Sequence, residues 1–201
     1  MNEKAINQPT RSNSSADFVA ADRNVSARGK VIGHSGSDRF HNLLVSNTAI
    51  GLGSRMHGHK SEMYISNMRV RMKSGLICYT DIAIVNGEPS FADQNADVLL
   101  NPTLIVDIFS SSSDSIEKTT KLESFLEMES IKECLLIKQD EMRVEHYARQ
   151  NQKQWIYRIY NERDDVVSLD SINTKLALQE IYAKVKFSSS GLSSKRSIKE
   201  D

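Results

Sequence analysis

Cysteine is scarce in this chain, and so is any excess of one charge. Only Cys78 and Cys134 occur in 201 residues, each inside an apolar run and neither in a Cys-x-x-Cys pair. That argues against a disulfide scaffold or a thiolate metal site and for buried, reduced thiols in a reducing, cytoplasmic compartment. Lys plus Arg number 26 and Asp plus Glu number 26, for a formal net charge of zero. No global basicity announces nucleic acid, although a neutral total leaves room for a local basic cleft. No apolar run approaches the length needed to span a bilayer. The first residues, MNEKAINQPTRSNSSADF, lack the apolar core of a secretory signal. Internal repeats are absent.

What is present fits one globular core. The chain is 39% hydrophobic and 26% charged, ordinary for a single domain with tails. Residues 1–24 and 187–201 are rich in Ser and charge without sustained period and read as flexible tails, leaving residues 25–186 as the domain. GKVIGHSG reads as a short strand and turn. Ser37 and Asp38 offer caps to a helix whose apolar residues Phe40, Leu43, Leu44 and Ile50 fall near helical spacing. MYISNMRVRM and LICYTDIAIV, joined by the turn-like KSG, read as a hairpin. NGEPSFADQNADVLLNP reads as a polar loop, and TLIVDIF as a short strand buried on both faces. Asp114 and Glu117 form a capping-box-like pair for a helix running to Met128 with Leu122, Phe125 and Leu126 on its stripe. ECLLIK, MRVEHYA, QWIYRIY and VVSL read as strands, and LALQEIYAKV as a closing helix. Hairpin, strand–helix–strand and further hairpin make an α/β fold with a mixed sheet and helices on its faces.

Two carboxylates interrupt apolar strands. Asp107 lies between Val106 and Ile108, and Asp81 lies in YTDIAIV. A buried carboxylate needs a metal, a cation or hydrogen bonds. If the two strands are neighbours, both acids converge at one sheet end, and rigid oxygen donors with open positions suit magnesium or manganese. Lys121 lies beside the apolar stripe of the following helix, so its stem can run along the sheet to the acids. Such a set can hydrolyse a phosphodiester: the metal polarises the phosphate, and the lysine orients water or neutralises developing charge. Glu117 can add an oxygen ligand. The plainer alternatives stay open. Asp107 can pair with a buried Lys or Arg, Asp81 can form a turn or salt bridge, and Glu117 can serve only as a cap. Helical geometry does not choose between Lys118 and Lys121.

The stretch NPTLIVDIFSSSSDSIEKTTKLESF resembles the Uma-two family of endonucleases, within the PD-(D/E)xK restriction-endonuclease-like superfamily. The family pattern runs from a strand ending in Glu-Val-Leu-Ser through a Pro-Ser-Thr turn to Asp-Arg-x-x-Lys. Laid on without gaps it puts Asp107 at the glutamate, Ser110 and Ser112 at the serines, Glu117 at the aspartate, Lys118 at the arginine and Lys121 at the lysine. Asp81 matches the aspartate of a Tyr-Pro-Asp strand, and His41 with Asn42 a His-Asn pair on the first helix. The resemblance implies a restriction-endonuclease-like mixed sheet flanked by helices, a magnesium or manganese cofactor and a DNA substrate. It implies Asp81, Asp107 and Glu117 as metal ligands, Lys121 as the catalytic ammonium, and His41, Lys118 and Ser110 as accessory groups. The chain departs from the pattern at Val25, where the family has an N-terminal glutamate, and in the shorter acid at Asp107. Two functions follow as expectations. One is a metal-dependent DNA endonuclease. The other is a catalytically weakened relative that binds nucleic acid or persists as a homodimer scaffold.

Overall fold

The computed structural model describes residues 38–56, 60–66, 68–92, 94–111 and 115–187, with backbone alone at 115–117. The expected N-terminal tail, the expected C-terminal tail beyond Phe187, the GKVIGHSG strand and the Asp114 cap lie outside the described residues.

The first helix, α1 (Arg39–Gly53), starts where expected because the Asp38 carboxylate accepts from the N–H groups of Phe40 and His41 at 2.8 and 2.9 Å, satisfying amides that have no partner within the helix. Its buried face carries His41, Leu44, Val45, Thr48, Ala49 and Leu52, the i, i+3, i+4 pattern of a core-facing stripe. Ile50, expected on that stripe, is 70% exposed.

Each of the two expected hairpin arms breaks into two strands. β1 (Ser61–Ile65) and β2 (Arg69–Arg71) flank Ser66, whose φ is +50°. β3 (Ile77–Tyr79) and β4 (Ile82–Asn86) flank Asp81. The breaks meet, since the Ser66 amide donates to the Asp81 carbonyl at 2.8 Å. The outer halves, β2 and β3, still form the hairpin around KSG, whose turn Gly75 holds φ +86°, a conformation that side chains resist. The inner halves enter the main sheet. β5 (Val98–Leu99), unforeseen in the polar loop, pairs parallel to β2.

Further along come β6 (Leu104–Phe109), helix α2 (Ser115–Leu126), β7 (Glu133–Lys138), β8 (Val144–Arg149) and β9 (Trp155–Tyr160). The main sheet has six strands in the order β1-β4-β6-β7-β8-β9. β6 and β7 run parallel, with α2 in the connection between them, and the other neighbours are antiparallel. β6 is buried from Leu104 to Ile108, as its unbroken apolar run requires. β10 (Val166–Leu169) and β11 (Thr174–Ala177) form a hairpin, and α3 (Leu178–Ile181) is a single turn where a longer closing helix was expected.

Two apolar clusters sandwich the sheet. One joins α1, α3 and the β10–β11 hairpin to Ile82, Leu104, Val106 and Leu135. The other joins Phe125 and Met128 of the α2 region, and the β2–β3 hairpin, to Ala83, Ile105 and Cys134. On the first face α1 packs so closely on β11 that a Cβ on Gly51 would stand 2.5 Å from Leu176 Cδ1. On the second, Arg149 ties the end of α2 to the sheet. Its guanidinium donates to the carbonyls of Leu126, Met128 and Ile131, each at 2.8 Å, and lies 4.2 Å from the Trp155 ring centroid. Cys78 and Cys134 are buried free thiols. No helix among the described residues is long and apolar enough to cross a membrane.

Candidate active site

The antiparallel register of β4 on β6 sets Ile82 opposite Val106, so one step further Asp81 faces Asp107. The convergence expected from sequence is present. It is also reciprocal: Asp107 Oδ1 accepts from the Asp81 amide at 3.2 Å, and Asp81 Oδ2 accepts from the Ile108 amide at 2.8 Å. Asp81 bends the chain away from the main sheet, which frees its own amide for this exchange.

The remaining oxygens are engaged by side chains. His41 Nε2 from α1 donates to Asp81 Oδ1 at 2.9 Å, and Lys121 Nζ from α2 lies 2.6 Å from Asp107 Oδ2. Asp81, Asp107 and His41 are buried, and the Lys121 side chain is 14% exposed. Burial draws the Lys121 ammonium toward its neutral form. The charge and hydrogen bond of Asp107, with Cys78 and Asp81 adding, together outweigh that pull, so its pKa rises above the ordinary lysine value. The group stays charged. Burial pushes the nearby Cys78 thiol up to about 12, so it is no thiolate nucleophile at neutral pH.

Lys118 goes elsewhere. Its Nζ lies 3.3 Å from Glu145 Oε2 and 3.6 Å from the centroid of the Phe109 ring. Sheet register explains the division: Asp107, Leu136 and Glu145 are successive partners across β6, β7 and β8, hence on one face. Helix α2 lies on that face and matches its two lysines to the two acids. Glu145 also accepts from Arg143 Nε at 3.2 Å and from the Tyr147 hydroxyl at 3.4 Å. Sequence reasoning missed Glu145, although the alternation of Val144, Glu145 and His146 put an acid on the helix-covered face. Ser110 follows β6 at the same sheet end. The Glu117 side chain lies outside the described residues.

The implied cofactor, magnesium or manganese, is a hard cation that selects carboxylate oxygens. Two such groups are here, but all four of their oxygens accept from protein donors, and the cation held by Asp107 is the Lys121 ammonium. Among the described residues no group of three or more His, Cys, Asp or Glu is placed to hold a metal ion. The described donors do not make a magnesium site.

A solved structure shares this architecture. It comes from Anabaena variabilis, is described as "a putative nuclease belonging to DUF820", and superposes with a TM-score of 0.64 over 77% of this chain and 87% of its own, at 17% identity. An uncharacterized Synechocystis protein, sll1609, is 29% identical over 138 residues, spanning 68% of this chain and 78% of its own. The family model described as "Uma2: Putative restriction endonuclease" matches residues 21–179. A mixed sheet between helices, with Asp81, Asp107 and Lys121 gathered at one sheet end, therefore accompanies a match over most of the chain, and the protein belongs to the Uma2 family of the PD-(D/E)xK-related nuclease superfamily.

Proposed function

We propose that this protein is a catalytically weakened family member that binds nucleic acid at the Asp81–Asp107 end of the sheet. One observation carries the reading: every carboxylate oxygen of the pair is already hydrogen-bonded within the protein, and Lys121 neutralises Asp107 at 2.6 Å. A metal would have to displace a buried, charged partner to gain Asp107 fully, at a cost comparable to breaking a buried ion pair. Family membership and the row of Lys121, Lys118 and Arg143 along this face support nucleic acid as the partner.

The rival is a magnesium- or manganese-dependent DNA endonuclease using Asp81, Asp107 and Lys121. Their convergence favours it. One experiment separates the two. Purified protein is mixed with plasmid and with single-stranded DNA across several divalent metals, and both retention and nicking are followed. Salt-sensitive binding with little or no cutting is expected. Metal-dependent turnover that disappears in Asp107→Asn would establish the endonuclease instead, and absence of binding would remove nucleic acid as partner.

A homodimer is the companion proposal. β9 ends the sheet, and Tyr157 and Ile159 on it are 46% and 43% exposed. A row of apolar side chains on an edge strand is a template for pairing with a second copy. Light scattering of wild type against Ile159→Lys tests it, the variant being expected to run as a monomer.

A further inference from the structure

Joined to the acid pair through the Ser66–Asp81 hydrogen bond is a cavity of about 620 Å³ that the site described above does not use. We propose that it is a pocket for one unpaired nucleobase whose exocyclic amine is at the pyrimidine 4-position or purine 6-position, cytosine or adenine. The proposal rests on the nucleic-acid reading given above and adds a subsite to it.

The cavity joins aromatic surface to a half-used polar pair. Tyr64 and Tyr79 line it together with Met63 and Met68. The Tyr64 ring is held from two sides: its hydroxyl donates to Glu62 Oε2 at 2.6 Å, and it packs at 80° to the Phe91 ring with centroids 6.0 Å apart. A fixed aromatic ring is a stacking platform that any base can use. Arg69, opposite Tyr79 in the β2–β3 ladder, pairs with Asp97 Oδ2. The other oxygen, Asp97 Oδ1, is covered and has no hydrogen-bond partner among the described residues, while the side chain as a whole is 43% exposed, so a turn of the carboxylate presents it to the cavity. A buried acceptor left unmade is costly and calls for a donor. An exocyclic amine of cytosine or adenine supplies one, and Asp is a natural acceptor for cytosine N4. Thymine presents a carbonyl there and would be repelled.

Position ties the pocket to the acids. Ser66 and Ala96 line it with φ of +50° and +54°, a left-handed backbone that non-glycine residues avoid and that is concentrated at functional sites. Ser66 is the residue whose amide grips the Asp81 carbonyl, and the Thr80 amide reaches the Met68 carbonyl at 3.4 Å. Tyr79 precedes Asp81 by two residues, roughly 7 Å of extended chain. A strand whose phosphate approached Lys121 could set a neighbouring base on the tyrosines.

The test compares oligo-dC with oligo-dT by fluorescence anisotropy on the full chain, alongside free cytidine followed through the Tyr64 and Tyr79 ring resonances. Wild type should prefer oligo-dC about tenfold. Asp97→Asn, whose amide can donate to thymine, should erase or invert that preference. Tyr79→Ala should weaken both oligomers about tenfold, and Tyr79→Phe, which restores the ring, should recover most of that loss. Oligomers that bind with no base preference and no response to Tyr79→Ala overturn the pocket while leaving the nucleic-acid reading in place. Cytidine that binds through Tyr79 while neither oligomer binds supports the pocket and removes that reading. Binding of neither probe overturns both.

Discussion

Asp81 and Asp107 hold each other through their backbones: each carboxylate accepts an amide from the other's strand, at 3.2 Å from Asp81 itself and at 2.8 Å from Ile108. The acids are thus part of the β4–β6 ladder as well as its terminal charges. This makes the pair structural before it is chemical, and it sets what substitution should do.

Replacing Asp107 with Asn leaves the Lys121 ammonium mostly buried without its counter-charge. The expected loss is about 3 kcal/mol, read from urea unfolding. Lys121→Met added to that variant should restore much of it, because the unpaired charge is gone. A double variant no more stable than Asp107→Asn alone would contradict the ion-pair account.

Glu145 restrains two cations, Lys118 at 3.3 Å and Arg143 at 3.2 Å. Glu145→Gln should release both toward phosphate. DNA affinity should rise, and the slope of log affinity against log salt should steepen by about 1 to 2, near 0.9 for each new phosphate contact. Anisotropy titrations at several salt concentrations measure it. An unchanged slope would mean that these cations do not face the bound strand.

Acid stability should depend on Glu133. Burial favours its protonated form, but His146 at 3.0 Å together with the amide and hydroxyl of Ser171 outweigh burial and lower its pKa below the ordinary 4.5. The unfolded chain then binds this proton more tightly than the folded one. The stabilisation is complete above the ordinary value and drains away as pH falls through the folded value. Circular dichroism between about pH 5 and pH 2 should show a shallower acid loss in Glu133→Gln than in wild type.

Gly51→Ala should destabilise the protein by about 1–3 kcal/mol, since the added methyl meets Leu176 Cδ1 at 2.5 Å and either that fully buried side chain repacks or α1 shifts off β11. Thermal melting tests it. Ile50→Ala one residue earlier, on the solvent side, should be nearly silent.

Much of this was legible in the chain because it rests on local signals. The unbroken run of β6, the Asp38 cap and the turn at Gly75 each have a short-range cause, and each element lies where that cause puts it. The two broken arms were not legible. Met63 to Met72 and Leu76 to Val85 each read as one strand by composition. Their breaks at Ser66 and Asp81 are made by a hydrogen bond between the arms, a tertiary event with no local signature. The same limit applies at the site. Asp81 and Asp107 were visible as acids in apolar strands and Lys121 only through the family resemblance, because the choice of Lys121 over Lys118 for Asp107 follows from sheet register. Glu145 stayed hidden because one acid in a strand otherwise reads as a solvated residue.

Arg149 has an optical consequence. The chain has one tryptophan, Trp155, and the guanidinium stacked on it at 4.2 Å is the group that fastens the carbonyl end of α2 to the sheet. Indole emission therefore comes from the clasp of the helix that carries Lys121. Release of α2 should change that emission while the far-ultraviolet signal of the sheet persists, so the native chain contains its own fluorophore for following the undocking of this helix.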